Sequence, residues 1–231
     1  MPALYVENTS QALLDLAGGY RTMCGGKVVG VTGSVGKTTT KELLYAVLSQ
    51  GFRAQKTEGN LNNEIGLPLT LMRMTRDTEV LVAEMGMNHF GELSRMTAAA
   101  KPNLAVITNI GTSHIEFLGS REASARPNWR FSRVCRRAAR AVLCGDEPLL
   151  WDKRGSLGCK VVTYGIENSD CDLIAHLHSD GTFDIVNNGL AAAHLPVGEK
   201  FIAKLSIPGK HNVLMHWRRQ PSVCCSVKHP S

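Results

Sequence analysis

The stretch KVVGVTGSVGKTTTKELLYAVLSQG, residues 27–51, joins an apolar run to a glycine-rich turn and then to a helix-like segment. The run KVVGV (27–31) is β-branched and apolar, which is typical of a buried strand. Gly51 predicts the C-terminal end of the helix that follows the turn. The stretch therefore predicts a strand, a tight turn and a helix. Apolar residues recur at helical spacing after the turn, at Leu43, Leu44, Val47 and Leu48.

The turn between this strand and this helix has the features of a phosphate-binding loop. Unpaired backbone N–H groups and the positive end of a helix dipole meet at such a turn. Lys37 adds a mobile cation, and the hydroxyl of Thr38 suits Mg²⁺. The common pattern requires glycine where this chain has Val31, so the match is to the shorter form T-G-x-x-G-K-T. The alternative is a glycine-rich turn with a surface lysine.

Composition limits the classes of protein to consider. With 231 residues and 43% hydrophobic content, the chain can bury one sizeable core, or one core and an annex. No apolar run approaches transmembrane length, and the N-terminus lacks the basic and apolar regions of a signal peptide. The seven cysteines form no CxxC pair, which favours a reducing cytoplasm over a disulfide or zinc framework.

The net charge of +6 does not indicate a nucleic-acid-binding surface. The stretch REASARPNWRFSRVCRRAAR (121–140) holds seven Arg and one Glu, so the remaining 19 basic and 19 acidic residues cancel. A basic face for DNA or RNA is normally spread over a folded surface. We therefore expect no nucleic-acid partner.

Further apolar runs alternate with helix-like segments, as in parallel sheets with right-handed crossovers. A first helix capped by Thr9 or Ser10 is predicted to end at Gly18–Gly19, and a later one is stopped by Pro102. Beyond Asp172, short alternating strands predict a small antiparallel β annex. The predicted fold is α/β, a mostly parallel sheet with flanking helices plus this annex. The predicted parallel strands are FRAQKT (52–57), EVLVAEMG (79–86), NLAVITNIG (103–111), AVLCGD (141–146) and KVVTYG (160–165).

Polar side chains at the ends of these strands are candidates for the chemistry. Parallel sheets bind ligands at the carboxyl ends of their strands. Glu84 ends one strand and His114 follows another, so both are candidate Mg²⁺ ligands together with Thr38. Taken singly, Glu84 could cap a helix and His114 could be a hydrogen-bonded loop residue. The loop GNLNNEIGLP (59–68) could bind a ligand through its asparagines or could be merely a turn.

Taken together, the motifs resemble the Mur ligases, and among them the MurF type. Their order is far more specific than a lone phosphate loop. The motifs that carry the resemblance are TGSVGKTTT (32–40), EGNLNNEIGLPLTL (58–71), AEMGMNHFGEL (83–93), TNIGTSHIEFLGS (108–120), GDEPLL (145–150) and IPGKHN (207–212).

The resemblance implies an ATP-dependent ligase of peptidoglycan synthesis. ATP would phosphorylate the terminal carboxylate of UDP-N-acetylmuramoyl-tripeptide, and the amine of D-alanyl-D-alanine would attack the acyl phosphate. The resemblance also implies a cytoplasmic protein without a membrane span, which we expect to be a monomer.

The resemblance assigns roles by position. Lys37, Glu84 and His114 would be catalytic, and Thr38, Glu84 and His114 would serve Mg²⁺. Asn60, Asn62 and Asn63 resemble the substrate-side loop. The ATP-binding positions would be Gly33, Ser34, Val35, Gly36, Lys37, Thr38, Thr39, Asn109, His211 and Asn212.

The chain also departs from the family. Residues 27–214 resemble the central ATP-binding domain, 1–26 a remnant of the N-terminal UDP-substrate domain or a linker, and 215–231 an aberrant tail with the C-terminal domain missing. The family carries a carbamylated lysine that bridges two metals, but no lysine lies between Lys101 and Lys153. Our hypothesis is that 121–140 and 215–231 are frameshift products.

Two alternatives to an active ligase stay open. The first is a nucleotide-binding fragment without catalysis, which the absent lysine favours. The second is another phosphate-loop enzyme, such as a kinase or a folylpolyglutamate-synthase-like ligase, which the asparagine-rich loop and EMGMNHFGE (84–92) argue against.

Overall fold

The computed structural model describes Ala3 and residues 5–86, 91–110, 140–178, 182–189 and 200–204. The helices are α1 (Thr9–Cys24), α2 (Lys37–Leu48), α3 (Gly66–Met72), α4 (Glu92–Ala100) and α5 (Pro148–Lys153), the last followed by a 3₁₀ turn at Arg154–Ser156. The strands are β1 (Lys27–Thr32), β2 (Ala54–Lys56), β3 (Val80–Glu84), β4 (Leu104–Ile107), β5 (Arg140–Cys144), β6 (Lys160–Gly165), β7 (Leu173–Leu177), β8 (Thr182–Asn187) and β9 (Lys200–Lys204).

The described strands form one nine-stranded sheet in the order β2-β3-β1-β4-β5-β6-β7-β8-β9. All neighbours from β2 to β7 are parallel, and β8 and β9 are added antiparallel. The predicted mostly parallel α/β fold is therefore confirmed. The antiparallel strands are also present, and they continue the same sheet because β7 pairs with the end of β6 through Tyr164↔Leu173 and Gly165↔Ile174.

The centre of the sheet is the centre of the core. Every residue of β3 and β4 is buried, and in β1 only Lys27 is partly exposed. Near-continuous apolar runs are what a parallel strand covered on both sides requires. Helix α1 packs against α3 and α4, and Leu14 and Ala17 of α1 belong to the buried core. No helix in the described part of the chain is both long and apolar enough to cross a membrane.

The prediction for α1 was wrong at both ends. Asn8 caps the helix by accepting the N–H of Gln11 at 2.9 Å, and the helix runs past Gly18–Gly19 to Cys24, where Gly25 (φ +77°) ends it. The glycines do not stop the helix because tertiary contacts hold its second half. The Nε of Arg21, for example, donates to the carbonyl of Ala100 at 2.8 Å.

Helix α3 was not predicted, because the loop was expected to extend to residue 68. Its short sequence GLPLTLM is apolar almost all round and so shows no helical periodicity. Strand β5 begins at Arg140, one residue before the predicted start. The rest of the arginine-rich stretch and the tail 215–231 lie outside the described residues.

Candidate functional site

The carboxyl ends of three central strands lie side by side. Val31 of β1 is in register with Glu84 of β3 and with Val106 of β4, and Thr32 is in register with Ile107. The residues that follow these strands therefore meet at one edge of the sheet, which is where open α/β sheets bind ligands.

The glycine-rich loop after β1 has a backbone that requires glycine. Gly33 has φ +137° and Gly36 has φ +82°, and Gly36 caps the start of α2. A Cβ atom on Gly33 would lie 1.9 Å from Oγ1 of Thr108, a contact that no structure tolerates. The Thr108 hydroxyl donates a 2.6 Å hydrogen bond to the carbonyl of Val35. Sequence reasoning did not single out Thr108, although the loop closes against it.

Asn109 holds the same loop from the end of β4. Its Oδ1 accepts the backbone N–H of Ser34 at 3.1 Å and that of Val35 at 2.9 Å. These two donors belong to the N–H groups that a phosphate-binding loop directs at its ligand. The predicted nucleotide position Asn109 thus lies directly against the loop.

Lys37 begins α2 and turns back over the loop. Its Nζ donates to the carbonyls of Gly33 at 2.8 Å and Ser34 at 3.2 Å. Burial lowers the pKa of Lys37 below the ordinary lysine value, and the negative charge of Glu84 offsets part of that effect. A partly desolvated cation attracts a phosphate more strongly than a fully hydrated one. Thr39 lies half-buried in the same first turn of α2.

Glu84 ends β3 and is only 2% exposed. Its Oε1 accepts the hydroxyl of Thr38 at 3.1 Å and the Nδ2 group of Asn62 at 2.8 Å. Its Oε2 is buried and accepts no hydrogen bond from the described residues. The structure thus brings together Thr38, Glu84 and Asn62, which are far apart in sequence.

Sequence reasoning did not single out Lys41, which also contacts the Glu84 carboxylate. Lys41, one turn of α2 beyond Lys37, is 1% exposed, and its Nζ lies 3.4 Å from Oε2 of Glu84. The signal was present in the sequence, because Lys41 shares the buried face of α2 with Leu44 and Leu48. A lysine at a buried position of an amphipathic helix needs a partner.

The three asparagines of the 59–63 loop have different surroundings. Asn62 contacts Glu84 as described, and its backbone carbonyl accepts the N–H of Gly86 at 2.7 Å. The Oδ1 of Asn63 accepts the N–H of Gly66 at 2.8 Å, as in a turn at the start of α3. Asn60 is exposed. The turn alternative therefore holds for Asn63, whereas Asn62 contacts the buried carboxylate of Glu84.

The donor set at Glu84 fits Mg²⁺. Hydroxyl and carboxylate oxygens are hard ligands, and Mg²⁺ usually takes one or two carboxylates together with phosphates and waters. The buried Oε2 accepts no hydrogen bond from the described residues, and its charge is balanced in part by the Lys41 ammonium at 3.4 Å. Among the described residues no group of three or more His, Cys, Asp or Glu side chains could hold a metal alone. His114, the third predicted ligand, lies outside the described residues, as do His211 and Asn212.

Comparison with known families identifies the fold. The Mur ligase middle domain matches residues 31–214, which contain the loop, Glu84 and Asn109. The chain belongs to the Mur ligase family.

Individual members of the Mur ligase family resemble the chain closely. The UDP-N-acetylmuramoyl-tripeptide–D-alanyl-D-alanine ligase of Bacillus subtilis is 40% identical over 212 residues, 91% of this chain and 44% of the relative. The ligase of that name from Synechocystis is 39% identical over 209 residues, 90% and 42% of the two chains. The chain thus spans less than half the length of these Mur ligases.

A solved Mur ligase structure gives the same result. The crystal structure of the MurF ligase of Thermotoga maritima in complex with ADP superposes with a TM-score of 0.81 at 30% identity. The match covers 96% of this chain and 50% of that one. The central sheet of this chain is therefore a Mur ligase sheet.

Proposed function

We propose that this chain forms the ATP-binding part of a MurF-type ligase, with residues 27–214 as its central domain. Such a ligase adds D-alanyl-D-alanine to UDP-N-acetylmuramoyl-tripeptide through an acyl phosphate. The observation that carries the proposal is the convergence, at one edge of the sheet, of the glycine loop, Lys37 and the buried Glu84. Relatives that bear the name of this activity support the choice of substrates.

The loop and Lys37 bind the phosphates of ATP in this proposal. The N–H groups of Ser34 and Val35, which Asn109 now occupies, are donors of the kind that phosphate oxygens accept. Lys37 exchanges its bonds to the carbonyls of Gly33 and Ser34 for bonds to phosphate oxygens. Its charge then opposes the negative charge that develops on the transferring γ-phosphate.

Thr38 and Glu84 would hold Mg²⁺, with His114 serving a second ion. When bound, the metal neutralises phosphate charge. Asn62 orients Glu84 through its 2.8 Å hydrogen bond, and so connects the nucleotide side of the site to the asparagine-rich loop. Asn60 and Asn63 share that loop, and we assign them to the side of the peptide substrate. We further propose a cytoplasmic monomer.

ATP binding by the isolated chain tests this proposal. We expect calorimetry to show Mg²⁺-dependent ATP binding that Lys37→Ala weakens at least about tenfold, because an ammonium bound to phosphate is lost. Lys27→Ala is the matched control, since it removes the same charge at the opposite end of β1. No binding by a folded sample, or equal weakening by both substitutions, would contradict the proposal.

A binding module without catalysis is the second candidate, and the absence of lysine between Lys101 and Lys153 favours it. In the family a carbamylated lysine would bridge the two metals. Loss of one preorganised electrostatic contact typically costs about 10²–10³ in rate. We therefore expect no pentapeptide product from ATP, Mg²⁺, the UDP-linked tripeptide and D-alanyl-D-alanine. Product detected by mass that disappears in Lys37→Ala would instead support the active ligase.

A further inference from the structure

Lys41 is a buried cation that the proposed chemistry does not use. Its side chain is 1% exposed, and its Nζ lies 3.4 Å from Oε2 of Glu84 and 3.3 Å from Oε1 of Glu42. It also donates a 3.4 Å hydrogen bond to the carbonyl of Gly59. An ammonium this deeply buried is stable only with such partners.

The contacts of Lys41 connect the elements that build the site. Glu84 belongs to β3, Lys41 and Glu42 to α2, and Gly59 to the loop that also carries Asn62. The two oxygens of Glu84 have different partners. Oε1 accepts hydrogen bonds from Thr38 and Asn62, and Oε2 is ion-paired with Lys41. Lys41 therefore fixes both Oε2 of the Glu84 carboxylate and the start of the asparagine-rich loop, through the Gly59 carbonyl.

The charges alternate from the surface to the site. Lys56, with 21% of its side chain exposed, is ion-paired with Glu42, which contacts Lys41, which in turn contacts Glu84. A buried ion pair is often no more stabilising than apolar residues of similar volume. Fold stability alone is thus a poor reason for a charge at position 41, whereas control of the Glu84 carboxylate is a specific one.

We propose that Lys41 is a positioning residue for the metal–nucleotide site, a role that rests on the proposed function. It holds the Glu84 carboxylate in the orientation in which Thr38 and Asn62 contact it. It acts through Glu84 and does not touch the nucleotide. Partners that orient a metal ligand typically contribute 10- to 100-fold to metal affinity.

The test compares ATP affinity in the presence of Mg²⁺ with ATP affinity in EDTA. We expect Lys41→Met to reduce the Mg²⁺-dependent gain in affinity by at least about tenfold, while the affinity in EDTA changes less than about threefold, because the loop and Lys37 are intact. Lys56→Met is the matched control, since it removes the outer cation of the series and leaves the Glu84 contacts in place. A Lys41→Met variant with the full Mg²⁺-dependent gain would overturn the role.

A double-mutant cycle separates positioning from a general structural role. If Lys41 acts through Glu84, Lys41→Met adds no further loss of the Mg²⁺-dependent gain to Glu84→Gln. The double variant also removes the uncompensated buried carboxylate, so we expect it to fold even if Lys41→Met alone does not. Additive losses, or a double variant that is unfolded while Glu84→Gln folds, would refute the role.

The outcomes also distinguish this role from the proposed function. A folded wild-type chain that binds no ATP refutes the proposed function, and the role of Lys41 with it. A wild-type chain that binds ATP with a Mg²⁺-dependent gain, alongside a Lys41→Met variant that keeps that gain, refutes only the role of Lys41.

Discussion

The Oδ1 atom of Asn109 lies 2.9 Å from the backbone nitrogen of Val35, a residue 74 positions earlier, and accepts its N–H. The same oxygen accepts the N–H of Ser34. A neutral side-chain oxygen thus accepts from two N–H donors of the kind that phosphate oxygens use, and it fixes the path of the loop.

We predict that Asn109→Asp separates loop stability from nucleotide affinity. A carboxylate accepts the same two N–H groups through stronger, charge-assisted bonds, so the melting temperature without ATP should be unchanged or higher. ATP affinity should fall at least about tenfold, because like charges a few ångströms apart repel by about 1–4 kcal/mol. Calorimetry and thermal unfolding measure the two effects.

Asn103→Asp is the control for this substitution. Its Oδ1 also accepts a backbone N–H, that of Val28 at 2.9 Å, but at the opposite end of β1. ATP affinity should stay at the wild-type value. Unchanged affinity in Asn109→Asp would mean that the phosphates do not approach Ser34 and Val35.

Gly33→Ala should abolish ATP binding and destabilise the fold. The φ of +137° is strained for alanine, and the new Cβ would lie 1.9 Å from Oγ1 of Thr108. We expect a loss of about 1–3 kcal/mol in the free energy of unfolding, measured in urea. Gly51→Ala, where nothing lies within 4 Å of the added atom, should change it by less than about 0.5 kcal/mol. A Gly33→Ala variant that binds ATP normally would show that the loop tolerates a different path.

Adjacent glycines in α1 should respond in opposite directions. Gly19→Ala adds a Cβ with no atom within 4 Å, so it should stabilise the helix by about 0.5–1 kcal/mol. Gly18→Ala places its Cβ 3.1 Å from the Cα of Ala99, which forces α1 away from α4 and should cost about 1–3 kcal/mol. Equal effects in urea unfolding would indicate that α1 does not pack against α4 as described.

Cys171 should make the fold sensitive to alkaline pH. Burial, followed by the nearby charge of Asp146, raises the pKa of its thiol to about 12. The unfolded thiol ionises near pH 8.5. The stabilisation that the folded chain gains from keeping the Cys171 thiol neutral is therefore complete below pH 8.5. As the pH rises from there towards 12, the free energy of unfolding falls by up to about 1.4 kcal/mol per pH unit.

Urea unfolding of the wild type and Cys171→Ala between pH 7.5 and 9.5 measures this effect. The variant should be less stable at pH 7.5, because a buried side chain is truncated, but its stability should fall less steeply with pH. Parallel slopes for the two proteins would mean that Cys171 ionises normally in the folded chain.

The strands and the phosphate loop were predictable because their physical requirements are local. A parallel strand buried on both faces needs a short apolar run, which β1, β3 and β4 each show. The order of glycines around Lys37 is likewise visible in the sequence. Glu84 could be placed near the loop because it ends a strand whose carboxyl end meets that of β1 at one edge of the sheet. Asn109 was assigned only from the resemblance to the family.

Other features depend on tertiary contacts that no local pattern records. Gly18 resembles a helix stop, but it allows close approach to Ala99 within a continuous helix. Lys41 resembles a surface lysine until β3 brings Glu84 beside it, 43 positions along the chain. Asn63 and Asn62 are neighbours of the same type, yet one orders a turn and the other contacts a carboxylate.

The position of β1 between β3 and β4 has a consequence for the order of folding. Strand β1 leaves the ribosome before both of its neighbours in the sheet, which begin only at Val80 and Leu104. Contacts of such long sequence separation form slowly. The glycine loop gains its Asn109 acceptor only when β4 has joined the sheet, so nucleotide binding during synthesis would report the moment at which the centre of the sheet is complete.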